Sequence, residues 1–137
     1  MQTSTLIASP TTSEPSALPG AVSGAPRTLL RLEGAALLAL SIAAFAYLGH
    51  SWALFAAVFL VPDLSMLGYL ASARTGAAAY NAAHTLLGPA ALAAAAHVTN
   101  DPRLAALALI WAAHIGFDRM LGYGLKYETA FRHTHLR

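Results

Sequence analysis

Residues 111–124 read WAAHIGFDRMLGYG, an apolar run that carries a histidine, an aspartate and an arginine. His114 and Asp118 are four positions apart, so in a helix their side chains lie one turn apart on the same face. Arg119 follows Asp118 and points about 100° away around the helix. Inside a membrane each of these groups needs a partner or water. The stretch therefore predicts a polar site within an apolar helix.

The composition favours a membrane as the solvent around that helix. Of the 137 residues, 57% are hydrophobic and 10% are charged, and the mean hydropathy is +0.55. So short a chain has too little interior to hide this much apolar surface from water. The absence of cysteine excludes disulfides, zinc ribbons and thiolate catalysis. The net charge of +2 rests on few, dispersed basic residues, so no nucleic-acid partner is expected.

Four apolar stretches follow an N-terminal segment of different composition. Residues 1–28 are rich in Ser, Thr, Pro, Ala and Gly, which predicts a disordered tail. Each apolar stretch has close to the about 20 residues that cross a bilayer as a helix. The third stretch is broken late by Gly88-Pro89. Short connections between them imply antiparallel neighbours. We predict an all-α fold, a four-helix transmembrane bundle (29–124) in up-down-up-down order with a C-terminal tail (125–137), whose spans cover residues 29–50, 52–72, 76–97 and 104–124.

Two features of the spans leave alternatives open. The fourth span has only fourteen uncharged residues before Asp118, so a soluble bundle with a buried helix is also compatible with it. Small residues at 34–36, 77–79 and 93–96 would allow close helix contacts in lipid. Alanine is also simply a good helix former, which explains the same runs without any close contact.

The basic residues orient the bundle by the positive-inside rule. Three segments that fall on one side of the membrane contain Arg27, Arg31, Arg74, Lys126, Arg132 and Arg137. The other side has only Arg103, next to Asp101. We therefore predict a multi-pass protein of the cell inner (cytoplasmic) membrane, with the lipid bilayer as its partner and both termini in the cytoplasm.

Depth in the membrane gathers the polar residues into one layer. Counted from the cytoplasmic ends at about 1.5 Å per residue, the depths are about 6 Å for Glu33, 14 Å for Asp63, 8 Å for Asn81, 12 Å for His84, 15 Å for His114 and 8 to 9 Å for Asp118 and Arg119. All of these residues fall in the same half of the bilayer. One polar cavity that opens to the cytoplasm would explain this. Its carboxylates outnumber its arginine, so a divalent metal ion or a proton could balance the charge.

Four residues of this layer are the predicted catalytic and metal-binding residues: Asp63, His84, His114 and Asp118. A histidine and a carboxylate at i, i+4 can reach one divalent ion, although an interhelical hydrogen bond would use the same spacing. Asp63 follows Pro62, which should break or bend the second helix. His133 and His135 are weaker metal candidates and could equally form a solvated basic end. The predicted structural polar partners are Glu33, Asn81, Arg119, Tyr123 and Lys126, with Arg119 as counter-charge for Glu33 or Asp63.

Several blocks between Leu29 and Leu136 carry a family resemblance: Arg31-Leu32-Glu33-Gly34, residues 62–69 (PDLSMLGY), Tyr80-Asn81-x2-His84, residues 114–119 (HIGFDR), residues 122–127 (GYGLKY) and Thr134-His135-Leu136. They resemble the small membrane proteins of the domain-of-unknown-function 4260 family. The resemblance implies a polytopic membrane protein and supplies no established activity. His114-x3-Asp118 is also similar to the helix motif of membrane-bound metal-dependent hydrolases. Their Arg-x-x-Thr-His motif is matched only in part by residues 132–135, which follow the helix motif instead of preceding it.

Three functions compete at this point. The first is a metal-dependent hydrolase that activates water against a lipid or amphiphile at the cytoplasmic face. The second is a proton or cation relay, which would need a homo-oligomer because four helices are few for alternating access. The third is a membrane assembly protein in which the polar layer only fixes the register of the helices.

Overall fold

The computed structural model describes residues 20–128 and 134–136, and this part of the chain is helical with a single isolated β-bridge. The prediction of an all-α fold with four helices is confirmed. The helices are α1 (Gly24–Leu48), α2 (Trp52–Phe59) continued by a 3₁₀ helix (Val61–Leu70), α3 (Ala73–His84) followed by α4 (Leu87–Thr99), and α5 (Pro102–Leu121). The predicted disorder of residues 1–19 lies outside the described residues. The first helix begins at Gly24, inside the predicted tail.

Capping residues fix the ends of the long helices. Gly49 ends α1 with a left-handed φ of 69°, and its N–H donates to the Ala46 carbonyl. The Asp101 carboxylate accepts from the Arg103 N–H and caps α5, which has Pro102 at its first position. Gly122 ends α5 with a φ of 90°. These turns reverse the chain within a few residues, which makes neighbouring helices antiparallel.

Two prolines explain where the second and third spans break. Pro62 has no N–H to continue an α-helix, so α2 ends at Phe59 and the chain proceeds as the 3₁₀ helix, as predicted. The break of the third span lies at Thr85, which is extended, with φ −84° and ψ 148°. The prediction placed that break at Gly88-Pro89. The Pro89 ring would collide with the carbonyl four residues earlier, which belongs to Thr85, so the break falls one turn before the proline.

The broken third span changes the count of membrane-spanning helices. Within the described residues, three helices are long and apolar enough to cross a membrane: Gly24–Leu48, Trp52–Leu70 and Pro102–Leu121. The third predicted span is not among these three, because it is divided into α3 and α4, which have 12 and 13 residues. In the apolar window of Trp52–Leu70, 0% of the residues are buried. An apolar helix with no buried face is compatible with a membrane protein.

The long helices pack around α5. Gly34 of α1 lies against Gly116 and Met120, and Phe45 packs with Ala106 and Ile110 at the other end of the same contact. Helices α1 and α5 are therefore antiparallel. The side chains of α2 complete this core, with Phe55 and Phe59 packed against it. Helix α4 covers another side of α5, and α3 packs against the 3₁₀ helix. Trp111 of α5 donates to the Ala83 carbonyl of α3 at 2.6 Å.

Candidate metal centre

Four side chains from three parts of the bundle converge where α3, α5 and the 3₁₀ helix meet. Asp63, His84, His114 and Asp118 each present one nitrogen or oxygen, and these four atoms all lie within 4.8 Å of one another. Both histidines are buried, and the two aspartates are partly buried. The structure thus brings together the four residues that the depth argument singled out, although they are up to 55 positions apart in sequence. Buried imidazoles and carboxylates are ligands for Zn²⁺, Mn²⁺ or Fe²⁺.

The spacing of the donor atoms suits coordination of one ion. His84 Nε2 lies 3.1 Å from His114 Nε2, and Asp63 Oδ1 lies 3.5 Å from each of them. Asp118 Oδ2 lies 3.6 Å from His84 Nε2. Four ligands at about 2.1 Å from a tetrahedral ion are separated from one another by about 3.4 Å. The observed distances are close to that value, so an ion can be accommodated with small side-chain movements.

Tyr80 orients two of the four residues. The His84 Nδ1–H donates to the Tyr80 carbonyl at 2.9 Å, because a carbonyl can only accept. The imidazole also stacks on the Tyr80 ring, with 3.7 Å between ring centroids. The Tyr80 hydroxyl donates to Asp118 Oδ2 at 2.8 Å. This arrangement turns His84 Nε2 towards the centre and is typical of the outer-shell partners of metal ligands.

The hydrogen-bonding atoms of His114 are less completely paired than those of His84. Its side chain is 2% exposed, and the Phe59 ring packs edge-on against it at 5.3 Å. Its Nδ1 has no hydrogen-bond partner among residues 20–128 and 134–136. A buried polar atom without a partner is uncommon in a polar cluster that serves only to join helices. The imidazole is therefore held by packing, with its Nε2 aimed at the other three residues.

Lys126 adds a positive charge behind Tyr80. Its ammonium lies 4.3 Å from the centroid of the Tyr80 ring and 5.2 Å from that of Tyr69. His84 stacks on the same Tyr80 ring, so a parallel ring and a cation both contact this phenol. Burial lowers the pKa of Lys126, while the Asp118 and Asp63 carboxylates act in the opposite direction. The lysine is thus electrostatically linked to both acidic residues of the centre.

Asn81 and the C-terminal segment hold Lys126 in place. The Asn81 amide donates to the Lys126 carbonyl at 2.8 Å and accepts from the Lys126 N–H at 2.7 Å. Thr134 forms an antiparallel bridge with Lys126 and is 2% exposed. Asn81 therefore joins α3 to the backbone of the segment that follows α5.

Replacing Asn81 with alanine should destabilise the protein by about 1–3 kcal/mol, because it removes two hydrogen bonds and leaves two backbone groups of Lys126 without partners. Thermal unfolding in detergent would measure the change. Asn81→Asp keeps the acceptor and should fall between the wild type and Asn81→Ala. An Asn81→Ala protein with wild-type stability would contradict this account of the clamp.

A cavity of about 10 Å³ adjoins the centre. Tyr80, His84, Asp118 and Arg119 contribute to its lining, together with Ile115 and residues 123–125 of the segment after α5. A volume of about 10–15 Å³ is what one water molecule requires. The polar lining offers such a water hydrogen-bond partners.

Other predicted residues lie elsewhere. Glu33 is exposed, and Arg119 forms no ion pair with Glu33 or Asp63 in the described part of the chain, so the predicted counter-charge role of Arg119 is not found. The reason is that Gly34 packs directly against the Arg119 Cβ, which leaves Glu33 on the outer face of α1. Tyr123 is 43% exposed next to the cavity.

The two weaker metal candidates do not join the centre. His135 lies beside Gly124 and Leu125 and is not one of the four converging residues. His133 lies outside the described residues. Conversely, the sequence analysis assigned no role to Tyr80. Its spacing of four from His84, the same as that between His114 and Asp118, is the signal that could have identified it.

Comparison with known proteins identifies a family and no activity. A family model described as "Domain of unknown function (DUF4260)" matches residues 27–137. The match includes all four residues of the centre as well as Tyr80 and Lys126. The comparison with curated proteins gave no significant match, and neither did the comparison with solved structures.

Proposed function

The chain belongs to the DUF4260 family, and we propose from its own residues that it is a metal-dependent hydrolase embedded in a membrane. The convergence of Asp63, His84, His114 and Asp118 carries this proposal. Two imidazoles and two carboxylates favour a borderline ion such as Zn²⁺, Mn²⁺ or Fe²⁺ over Ca²⁺ or Mg²⁺, which prefer oxygen ligands. Such an ion would lower the pKa of a bound water to about 7 and polarise the bond to be cleaved.

The residues around the centre have separate roles in this proposal. His84, His114 and Asp63 hold the ion, since their donor atoms form a nearly regular triangle with sides of 3.1, 3.5 and 3.5 Å. Asp118 borders the water-sized cavity and accepts a proton from the water as its oxygen attacks the carbonyl carbon or phosphorus of an ester. The same carboxyl then returns the proton to the oxygen that leaves. Tyr80 holds Asp118 in position through its 2.8 Å hydrogen bond.

The apolar surface of the protein supports a membrane substrate. The three spanning helices and the exposed leucines of α1 and the 3₁₀ helix would place the protein in the cell inner membrane as a multi-pass protein. Both termini would face the cytoplasm by the positive-inside rule, with α3 and α4 together supplying a fourth crossing. Asp63, with a side chain that is 32% exposed, is the ligand through which the centre reaches the outside of the bundle. An ester carried by an amphiphile could approach the centre from that side.

Metal analysis of the purified protein tests the proposal. The full-length protein, extracted in mild detergent, is expected to contain about one divalent transition-metal ion per chain by mass spectrometry. Chelation should abolish hydrolysis of acyl and phosphate esters presented in micelles, and re-addition of the ion should restore it. Glu33→Gln serves as the matched carboxylate control, since Glu33 is exposed and outside the centre. Protein that binds no divalent ion, before or after incubation with one, would refute the proposal.

One observation favours a proton relay as the second candidate. The two Nε2 atoms of His84 and His114 lie 3.1 Å apart, which is a hydrogen-bond distance, so the pair can share one proton. In that case the carboxylates of Asp63 and Asp118 would balance the charge and no metal would be needed. A metal-free protein that conducts protons in liposomes, alone or as a homo-oligomer, would favour this function over hydrolysis.

A further inference from the structure

We infer that the metal centre binds a phosphate group, either inorganic phosphate or the phosphate of a lipid headgroup. The inference rests on the proposed function, because it requires an ion held by His84, His114 and Asp63. It concerns what the ion and its surroundings attract. The charges that lie around the centre support it.

The formal charges of the protein groups around the site cancel one another. Asp63 and Asp118 contribute two negative charges, and both act electrostatically on the Lys126 ammonium. Lys126 and Arg119 carry two positive charges. The Lys126 ammonium lies over the Tyr80 ring, and Arg119 is one of the residues that line the water-sized cavity. With neutral histidines the protein groups are therefore neutral in sum. A bound divalent ion would give the centre two positive charges.

A partly buried site with two positive charges favours a dianion. Charges in such a position are poorly screened by water and salt. A ligand whose charge compensates them therefore binds in preference to one whose charge does not. Phosphate and phosphate monoesters carry close to two negative charges at neutral pH and offer oxygens that a divalent ion prefers. An uncharged ester would leave the excess uncompensated, and a carboxylate would compensate half of it.

The position of Lys126 makes it a charge-supplying residue and not a ligand of the ion. The Tyr80 ring separates its ammonium from the His84 imidazole, because the two lie against the same phenol. The Asn81 clamp fixes its backbone at 2.7 and 2.8 Å. Lys126 thus adds positive potential at a fixed place and leaves coordination of the ion to His84, His114 and Asp63. Removing its charge should weaken binding of an anion and leave binding of the metal intact or tighter.

Cobalt(II) provides the test, because its visible absorption reports both loading and a change of ligand. The full-length protein in detergent is loaded with Co²⁺ and titrated with inorganic phosphate, and with phosphatidylcholine vesicles that do or do not contain phosphatidic acid. Lys126→Met should weaken the phosphate response at least about tenfold without weakening Co²⁺ binding. Lys126→Arg should retain it. Arg74→Gln, which removes an exposed positive charge paired with Glu128, should behave as the wild type.

The outcomes separate this inference from the proposed function. A response to inorganic phosphate would assign a soluble ligand, and a response to phosphatidic acid vesicles alone would assign a lipid headgroup; either supports the inference if it depends on Lys126. A Co²⁺-loaded protein that responds to neither overturns the inference and leaves the metal site standing. An equal response in Lys126→Met also overturns it. Failure of the wild type to bind Co²⁺ removes the proposed function and this inference together.

Discussion

Replacing His114 with alanine is expected to weaken binding of a divalent ion by more than about 100-fold. Even outer-shell partners of metal ligands contribute about 10–100-fold to affinity, and His114 supplies a donor atom itself. Its Nε2 lies 3.1 Å from that of His84 and 3.5 Å from Asp63 Oδ1, so its loss opens one corner of the coordination triangle. Titration with Co²⁺ followed by absorption would measure the change, and His84→Ala should give a loss of similar size.

Stability measurements distinguish a lost ligand from a lost fold. In the wild type, an ion at 100 times its dissociation constant should stabilise the folded state by about 2.7 kcal/mol, and this increment should vanish in His114→Ala. His97→Ala is the matched control, since His97 is exposed on α4 and outside the centre. If His114→Ala binds the ion as the wild type does, His114 is not a ligand, and the cluster has only a structural role.

The depth argument predicted the centre because the physics of the bilayer restricts where charge can lie. Asp63, His84, His114 and Asp118 come from three helical segments, and a local pattern joins only His114 and Asp118. A fixed rise per residue and a single orientation were enough to place them in one layer. Depth also placed Glu33 in this layer, with Arg119 as its predicted counter-charge. The two residues form no ion pair in the described part of the chain. Depth fixes the height of a residue in the bundle but not the direction in which its side chain points.

Side-chain direction and backbone contacts account for what the sequence did not reveal. The break at Thr85 follows from the carbonyl that Pro89 excludes, yet the glycine before the proline looked like the better breaking point. The contact of Lys126 with the Tyr80 ring depends on how the chain returns after Gly122, where a φ of 90° reverses its direction. A turn of that kind is recognisable in a sequence, whereas the point at which the returning chain docks depends on tertiary packing.

The sequence allowed the runs of small residues to be assessed only by composition. The structure shows which of them make close helix contacts. Gly34 makes the closest helix contact on α1, and its partner is Gly116 in the stretch that carries His114 and Asp118. In the run 93–96, Ala93, Ala94 and Ala95 are exposed and only Ala96 is buried. Composition alone could not distinguish a packing surface from a helix-forming run. The distinction depends on which residue lies opposite.

Replacing Gly116 with valine is therefore expected to destabilise the protein by about 3 kcal/mol and to weaken metal binding. A Cβ at this position would lie 2.7 Å from the Leu38 nitrogen and 2.8 Å from the Gly34 carbonyl oxygen. Both obstructing atoms belong to the backbone, so α1 and α5 have to move apart. Overpacking typically lowers the free energy of unfolding by about 1–3 kcal/mol, and we expect the upper end of that range here. His114 and Asp118 flank Gly116 on α5 and would move with the helix.

Thermal unfolding and Co²⁺ titration of the same sample would measure both effects. Ala36→Val adds branched side-chain volume at an exposed position of α1 and should change neither. Because Gly34 and Gly116 face each other, Gly34→Ala combined with Gly116→Val should cost less than the two single changes together. Once the helices have separated, the second side chain meets less resistance. Additive effects of the two substitutions would mean that they act at independent contacts, and the distance between α1 and α5 would then not control the geometry of the centre.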